Sequence, residues 1–395
     1  MITRPKHILP CIVLAQLLGT STWFAGNAIL PILQSEWSLP DSAVAPLTNS
    51  VQFGFIVGAL LFSLLALADR ISPRILFFIC SLGNALFNVL IVLWADSFDT
   101  FLVLRFMSGV MLAGVYPVGM KIATGWYPEG LGRALGFLVG ALAVGTASAH
   151  FFSSLNLSGW QPVIYLVSLA ALCGGLLVLL FVPDGPALHK GKALKFKELL
   201  VALRHKPLRA SAGGYFGHMW ELYAVLALVP YWLLAWQDQH GTEINISFWS
   251  FVIIAMGGLG CVTGGFWSGR VGSRIVAQTM LVLSGLCCLL SPLAMQFSFG
   301  LMLLFWCVWG FTVVADSPQF SALSAQTAPK EVVGSALTMI NSIGFTITMV
   351  AVQVTALMLN VIPVEWIMLF LAPGPVLGIC SLIWLKRLQQ DMEEK

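Results

Sequence analysis

The chain has 395 residues, of which 58% are hydrophobic and 9% are charged, with a formal net charge of +3. Soluble globular domains carry about 25% charged residues, so this composition excludes a water-soluble fold and predicts an integral membrane protein. The basic residues do not indicate nucleic-acid binding, because they are distributed as markers of membrane topology. The eight cysteines lie in apolar runs without metal-ligand spacing, which indicates reduced packing residues.

Twelve apolar runs are each long enough to cross a bilayer as a helix, which takes about 20 residues. Helices are required because lipid offers no hydrogen-bond partner to free backbone groups. The predicted spans, in chain order, are 8–33, 43–67, 75–95, 100–125, 134–155, 161–182, 211–237, 247–268, 275–295, 300–325, 334–358 and 364–385. They predict an all-α membrane protein with twelve transmembrane helices.

The basic residues predict how these spans are oriented. Every lysine and arginine except Arg105 and Lys121 lies in a tail or in a connection on one side of the membrane. The connections on the opposite side contain aspartate and glutamate but no lysine or arginine. Short basic connections remain in the cytoplasm. We therefore predict cytoplasmic termini and a multi-pass protein of the plasma membrane, which in bacteria is the inner membrane.

The longest polar stretch, 183–210, carries seven basic residues and separates six spans from six. We interpret it as a cytoplasmic linker, part of which forms an amphipathic helix on the lipid headgroups. Its role is either a topological anchor or a lipid-dependent regulator. The predicted domains are an N-terminal six-helix bundle of residues 1–182 and a C-terminal six-helix bundle of residues 211–395.

The two bundles repeat each other in sequence. Arg70 and Arg270 are 200 positions apart, and Pro117 and Pro318 are 201 positions apart. An offset that drifts so slowly over several spans indicates a duplicated six-helix unit.

The first, fourth, seventh and tenth spans share one feature, an internal proline. These prolines are Pro31, Pro117, Pro230 and Pro318. Because proline removes one backbone hydrogen bond, we expect the four helices to bend there. Inside a membrane such bends occur where a neighbouring helix or a cavity satisfies the released groups.

Two connections carry related motifs. Residues 67–74 read Leu-Ala-Asp-Arg-Ile-Ser-Pro-Arg, and residues 265–274 read Gly-Phe-Trp-Ser-Gly-Arg-Val-Gly-Ser-Arg. Both partly match the loop motif G-x-L-a-D-r-x-G-r-k of the major facilitator superfamily. The first keeps Asp69 but neither glycine, and the second keeps both glycines but has Gly269 in place of the aspartate. The fourth-span motif of that family, l-x-x-x-R-x-x-q-G, is met by Phe101, Arg105, Ser108 and Gly109.

With the twelve spans, the repeat and the basic central connection, these motifs make the chain resemble the major facilitator superfamily over essentially its whole length. The resemblance implies two pseudo-symmetric six-helix bundles, alternating access by a rocking motion, and a central cavity lined by the first, fourth, seventh and tenth spans. The fifth span lacks the Gly-Pro pair that drug/proton antiporters of the family usually carry. The resemblance also implies a gating role for the motif residues Asp69, Arg70, Arg74, Arg270 and Arg274.

A few ionisable side chains remain inside the predicted spans, where a charge costs at least about 2.5 kcal/mol. Glu221 and His218 lie one turn apart on the seventh span and could pass a proton across the membrane. The alternative is a Glu221 that stays protonated or is locked to a neighbouring helix. Asp316 could share a proton or a cation with Glu221, or it could cap the helix break before Pro318 or form a contact of the cytoplasmic gate. These three residues are the proton-coupling candidates.

Arg105, near the outer end of the fourth span, could bind a carboxylate or phosphate with its planar guanidinium group. Alternatively, it is a gating or proton-coupling arginine. Lys121 is expected to extend to the cytoplasmic interface, and His150 to be a packing residue. Neutral polar and aromatic side chains complete the substrate-binding candidates, although helix packing competes at each position. They are Trp23, Asn27, Gln52, Tyr116, Tyr223, Gln319 and Asn341.

These features predict a secondary active transporter that moves a small polar, anionic solute by proton-coupled symport. Its expected partners are the solute, protons and the lipid bilayer, and we expect a monomer. A proton-coupled exporter, an antiporter of a metabolite or drug, is the first alternative, since acidic cavity residues would suit a cation. A non-transporting sensor and a passive channel are further alternatives. The sequence has no nucleotide loop, metal triad or nucleophile elbow, so we expect no enzymatic activity, cofactor, metal or nucleic-acid partner.

Overall fold

The computed structural model of the chain describes residues 5–127, 131–188, 204–329 and 333–393. Within these ranges the regular structure is entirely helical. Twelve helices there are long and apolar enough to span a membrane, which confirms the predicted number and the all-α class. They are α1 (Ile8–Trp37), α2 (Asp41–Leu64), α3 (Pro73–Trp94), α4 (Phe98–Trp126), α5 (Ala134–Ser153), α6 (Gln161–Phe181), α7 (Lys206–His240), α8 (Ile246–Val271), α9 (Ser273–Ala294), α10 (Phe299–Thr327), α11 (Val333–Met358) and α12 (Val364–Asp391).

The helix ends differ from the predicted spans by a few residues. The largest early start is at α7, which begins at Lys206, five residues before the predicted position. Pro207 lies in its first turn, where the missing N–H of proline costs no helical hydrogen bond. The helix of α12 continues through the polar residues after its apolar run as far as Glu393. Most of the predicted linker, residues 189–203 with the predicted amphipathic helix, lies outside the described residues.

The helices pack as two sets of six that correspond to each other. In the N-half (α1–α6), α1 packs on α5 and α6, and α2 packs on α4. In the C-half (α7–α12), α7 packs on α11 and α12, and α8 packs on α10. The pairs match at an offset of six helices, in agreement with the sequence repeat. The halves meet where α5 packs along α8 and where α2 packs along α11.

Two glycines at equivalent positions of the repeat allow very close helix contacts. A Cβ atom at Gly109 of α4 would lie 2.1 Å from the Val51 carbonyl oxygen of α2. One at Gly310 of α10 would lie 2.0 Å from the Ile253 carbonyl oxygen of α8. Small residues are needed where membrane helices approach this closely. The duplication inferred from sequence is therefore also present in the packing.

Three spanning helices are interrupted near their middle. The segments are Ile8–Thr20 and Ala25–Trp37 of α1, Phe98–Leu112 and Tyr116–Trp126 of α4, and Phe299–Ala315 and Ser317–Thr327 of α10. In α4 and α10 the break precedes Pro117 and Pro318, and each proline lies in the first turn of the second segment. At Pro31 and Pro230, however, the helix continues without interruption. α1 instead opens at residues 21–24.

Candidate functional site

A cavity of about 60 Å³ lies between the two halves. Its walls come from α4 and α5 of the N-half and from α7, α8, α10 and α11 of the C-half. The resemblance implied that α1 also lines it, but no α1 residue is among the described lining residues. The rings of Trp23 and Phe24 in α1 lie 5.9 Å and 6.1 Å from that of the lining residue Tyr223. An engineered cavity that binds benzene measures about 150 Å³. The present cavity therefore has room for a few waters, and a larger guest requires the halves to separate.

The cavity lining has an aromatic part and a polar part. Four aromatic side chains form what we call the ring wall: Tyr116, Tyr215, Tyr223 and Phe345. Three polar side chains from α10 and α11 form what we call the polar corner: Ser317, Ser321 and Asn341. The α5 side is mostly aliphatic. No lysine, arginine, aspartate or glutamate is among the described residues that line the cavity, so its surface is neutral but rich in hydroxyl groups.

A layer of aromatic rings from both halves adjoins the cavity. The ring of Trp23 in α1 lies 5.0 Å from Phe55 of α2 and 5.9 Å from Phe345 of α11, measured between centroids. Phe55 and Phe345 are 4.8 Å apart, and Phe345 also contacts Tyr223 at 5.5 Å. Because both halves contribute rings, this layer must part before a solute can pass through it.

The halves are also hydrogen-bonded at the end of the bundle away from the termini. Ser153 Oγ and Ser247 Oγ are 3.3 Å apart, which joins the ends of α5 and α8. Asn49 Nδ2 of α2 donates to the Met349 carbonyl oxygen of α11 at 3.1 Å. The two halves are therefore in direct polar contact at this end.

A buried histidine and aspartate meet behind the polar corner. His218 Nδ1 of α7 lies 2.9 Å from Asp316 Oδ1 of α10, and both side chains are 1% exposed. The other ring nitrogen, Nε2, lies 2.7 Å from the hydroxyl oxygen of Ser317. Asp316 is the residue at which α10 is interrupted, so the break places its carboxyl group beside α7. Two predicted residues are thus connected to the cavity through a third that was not predicted.

Glu221 lies one turn farther along α7, inside the C-half and outside the cavity lining. Its Oε1 accepts hydrogen bonds from Ser284 Oγ, from Cys288 Sγ at 3.3 Å and from Trp309 Nε1 at 2.8 Å. Donors aimed at one carboxyl oxygen offset part of the cost of burying it. These donors come from α9 and α10. They lie in apolar stretches of sequence, so the sequence did not predict that they contact an acid.

Arg105 lies inside the N-half with no exposed surface. Its Nη2 donates to the carbonyl oxygens of Thr22 at 2.8 Å and Trp23 at 2.7 Å, and its Nη1 donates to Asn88 Oδ1 at 3.0 Å. The two carbonyls belong to the break in α1, where backbone groups lose their helical partners. Arg105 therefore stabilises this break, which explains why α1 opens there and not at Pro31. In this conformation its guanidinium group does not line the cavity.

The remaining predicted site residues divide into two groups. Those that line the cavity are Tyr116, Tyr223 and Asn341. Those that are buried outside its lining are Trp23, Asn27, Gln52 and Gln319. Within the second group, Asn27 Nδ2 donates to Thr48 Oγ1 at 2.7 Å and so joins α1 to α2.

The predicted gating residues lie toward the terminal end. Lys121 Nζ of α4 lies 2.5 Å from Asp69 Oδ1 and 2.7 Å from the Ala68 carbonyl oxygen. The lysine expected to extend to the interface therefore joins α4 to the connection after α2. Of the four motif arginines, two are exposed and two are half-buried. The exposed ones are Arg70 and Arg270, and the half-buried ones are Arg74 and Arg274.

Sequence reasoning missed four polar lining residues. They are Thr146, Tyr215, Ser317 and Ser321. Tyr215 lies three positions before His218, and Ser317 directly follows Asp316, so their proximity to predicted residues was a usable signal. Thr146 and Ser321 offered none, because single hydroxyl residues are common in membrane helices and usually bond to their own backbone.

Comparison with known proteins places this architecture in context. A family model described as Major Facilitator Superfamily matches residues 12–295. A bacterial homologue of the human lysosomal transporter Spinster, solved in an inward-facing and occupied conformation, superposes with a TM-score of 0.71. The two chains are 14% identical, and the match covers 96% of each. At this identity the likeness concerns the fold alone.

Curated relatives match over shorter stretches. The putative niacin/nicotinamide transporter NiaP of Bacillus subtilis is 31% identical over 174 residues, which span 42% of each chain. The 4-hydroxybenzoate transporter PcaK of Pseudomonas putida is 26% identical over 45% of this chain and 40% of its own. The multidrug resistance protein MdtG of Salmonella paratyphi C is 25% identical over 58% of this chain and 57% of its own. The chain thus matches roughly two fifths of the length of the first two relatives.

Proposed function

The chain belongs to the Major Facilitator Superfamily, and we propose that it is a proton-coupled symporter of a small organic anion. It works by alternating access, as a monomer in the bacterial inner membrane with both termini in the cytoplasm. The observation that carries this proposal is the buried His218–Asp316 pair, which lies one hydrogen bond behind the wall of a cavity between the two halves. The chain is a membrane transporter and not an enzyme.

Charge balance supports symport. The described lining has no lysine or arginine, so an anion that enters alone would be buried without a compensating charge, at a high cost in free energy. A proton taken up with the anion cancels its charge. The pair of His218 and Asp316 can accept that proton while both side chains stay buried in the protein interior. The occupied carrier then crosses between its two conformations with no added net charge.

Glu221 is the second proton site in this proposal. Its carboxyl group has three hydrogen-bond donors on one oxygen, so the charged form has partners inside the C-half. It lies one turn from His218 on the same helix. In this proposal a single proton is shared by the His218–Asp316 pair and Glu221 while the cavity changes sides.

The chemistry named for two relatives agrees with an anionic solute. Niacin and 4-hydroxybenzoate, which appear in the names of NiaP and PcaK, are carboxylic acids and are ionised at neutral pH. The aromatic layer around Trp23 would serve as one gate of the carrier. The motif residues Asp69, Arg70, Arg74, Arg270 and Arg274, together with Lys121, would serve as the gate at the terminal end.

The test is uptake into proteoliposomes. A panel of small labelled carboxylates is added outside, with the lumen made alkaline, and the accumulation of each is followed. We expect Glu221→Gln to abolish accumulation driven by the pH gradient and to leave solute exchange intact, because exchange needs no net proton movement. Glu243→Gln, at an exposed position, is the matched control. Unchanged accumulation by the Glu221 variant would remove this residue from the mechanism.

Membrane potential provides an independent test. One proton carried with one monovalent anion moves no net charge, so potassium with valinomycin should not drive uptake when the pH is equal on both sides. Uptake that responds to the potential and not to pH would contradict the proposed stoichiometry.

A second candidate function is proton-coupled export, which the similarity to MdtG over 58% of the chain favours. It predicts that an acidic lumen, and not an alkaline one, drives accumulation inside the vesicle. The same proteoliposomes therefore separate the two functions by the sign of the gradient.

A further inference from the structure

We infer that Ser317 is the binding point for the acidic group of the solute, and that the solute is an aromatic carboxylate whose ring lies against the ring wall. This inference rests on the proposed transport function and adds to it the class of substrate and the atom that recognises it. It also explains how the solute and the proton affect each other.

The ring wall fits a flat aromatic ring. Tyr116, Tyr215, Tyr223 and Phe345 come from three helices in both halves and face the same space. Aromatic rings prefer offset or edge-to-face contact with one another, and such contacts can form as the halves separate around a planar guest. The polar corner lies beside these rings, on α10 and α11. A guest with one ring and one acidic group matches this division.

Among the polar groups of the cavity lining, the Ser317 hydroxyl is the one that is backed by a buried chain of ionisable side chains. It lines the cavity and lies 2.7 Å from His218 Nε2, and the other nitrogen of that imidazole lies 2.9 Å from the Asp316 carboxyl. A serine hydroxyl has a single hydrogen to donate. Where that hydrogen points depends on the state of the histidine.

When His218 carries two protons, both ring nitrogens are donors. Nδ1–H then faces Asp316 and Nε2–H donates to the Ser317 oxygen, so the serine hydrogen is free to donate into the cavity. A hydrogen bond from this chain to a carboxylate is charge-assisted. When His218 is neutral with its proton on Nδ1, Nε2 accepts the serine hydrogen, and the donor is withdrawn from the cavity.

The anion and the proton therefore bind together. Loss of the proton from His218 removes the donor that holds the carboxylate, so affinity for the anion should fall as pH rises. The titratable groups that face His218 directly are Asp316 of α10 and Tyr215 of α7. Glu221 of α7 and Cys261 of α8 interact electrostatically with Asp316, and Tyr116 of α4 interacts with Tyr215. Tyrosine and cysteine ordinarily titrate above pH 8.

The experiment measures binding of benzoate to the purified, detergent-solubilised protein by calorimetry, with no gradient present. Benzoate stays ionised from pH 6 to pH 8. We expect wild-type affinity to fall severalfold over this range. Ser317→Ala should weaken binding at pH 6 about 10- to 100-fold, as expected for loss of a charge-assisted hydrogen bond, and should remove the pH dependence. Ser317→Thr, which keeps the hydroxyl, should restore both within about threefold.

Two comparisons make the result specific. Benzamide has the same ring but no charge, and its affinity should change by only a fewfold in Ser317→Ala. Cyclohexanecarboxylate has the charge but no planar ring and should bind more weakly than benzoate. Thr312→Ala on α10, whose hydroxyl donates to its own helix at the Val308 carbonyl oxygen, is the control for loss of a buried hydroxyl and should leave benzoate affinity within about twofold.

The inference is overturned if wild-type protein does not bind benzoate at concentrations up to about 10 mM. It is also overturned if Ser317→Ala binds benzoate as wild-type does, or if the pH dependence survives in that variant. Failure of the proposed function looks different: benzoate would bind as described while no pH gradient drives its uptake. Conversely, gradient-driven uptake of a solute without a ring would support the function and reject the assignment of substrate class.

Discussion

Replacing Arg105 by methionine tests whether this residue holds the break in α1 open. The side chain has no exposed surface and donates to two carbonyl oxygens and one amide oxygen, all at 2.7 to 3.0 Å. Methionine has a similar length but no donor. The substitution leaves the carbonyls of Thr22 and Trp23 and the amide oxygen of Asn88 without this partner, inside a dry part of the N-half.

The expected magnitude follows from these three lost bonds. The Thr22 carbonyl still accepts from the Ala25 N–H at 3.2 Å, so two acceptors lose their partner. An unsatisfied buried acceptor costs about 1–3 kcal/mol, which sums to roughly 2–6 kcal/mol if nothing relaxes. Removing the buried charge also removes its desolvation cost, which offsets part of this loss. In addition, α1 can rearrange so that one or both carbonyls accept regular helical hydrogen bonds. We therefore expect a net loss of about 2–4 kcal/mol in the free energy of unfolding, together with a displaced Trp23.

Lys121→Met provides a matched control on the same helix. That lysine is also cationic and also contacts a carbonyl and a side-chain oxygen, but its side chain is 21% exposed and that of Asp69 is 18% exposed. Solvent screens such a pair, so its loss should cost no more than about 1 kcal/mol. Both variants remove a cationic side chain from the same helix, and the two side chains differ strongly in burial.

The assay is thermal unfolding of the purified variants in detergent, followed by tryptophan fluorescence, with solute exchange in proteoliposomes as the functional readout. Arg105→Met should unfold at a clearly lower temperature than Lys121→Met and should exchange solute poorly because the aromatic layer is misplaced. If the two variants unfold together, the guanidinium group is not what stabilises the break. If Arg105→Met is destabilised but retains full exchange, the break is structural and does not serve the gate.

Two further outcomes follow from the contacts between helices. Gly310→Ala places a methyl group about 2.0 Å from the Ile253 carbonyl oxygen, and we expect this overpacking to destabilise the C-half by about 1–3 kcal/mol. Gly300→Ala, on the same helix with nothing within 4 Å, should be neutral or stabilising in thermal unfolding; equal effects would refute the close approach. Cysteines in place of Ser153 and Ser247, whose hydroxyl oxygens are 3.3 Å apart, should form a disulfide that blocks transport until it is reduced. Continued transport by the cross-linked protein would mean that this end does not open.

Much of the fold was predictable from sequence because it depends on local or cumulative properties. Span number and position follow from runs of apolar residues, and α1 and α8 begin within a residue of their predicted starts. The repeat was visible as a slowly drifting offset of about 200 residues, and its packing counterpart appears at Gly109 and Gly310. The helix breaks were only half predictable. A proline marks a possible break, but the break in α1 depends on Arg105, 82 positions away along the chain from Trp23.

The candidate site was predictable in its residue types and less so in its geometry. His218 and Asp316 stood out because charged groups are costly inside a membrane, and the structure places them 2.9 Å apart. Their contact with Ser317 could not be read from sequence, since the direction of a side chain depends on how α7 and α10 are rotated against each other. The same applies to Glu221, which points to α9 and α10 and not into the cavity.

The amino-acid sequence by itself determined that this protein spans a membrane twelve times in two related halves, because burial of apolar residues and the cost of charge in lipid act on each segment separately. Only the tertiary structure decided which polar groups meet. A hydrogen bond forms only when its two atoms are placed to within a few tenths of an ångström. Here the atoms belong to helices that are distant in the chain, and no local sequence pattern encodes that placement. The link from Asp316 through His218 to Ser317 exists for that reason only in the folded bundle.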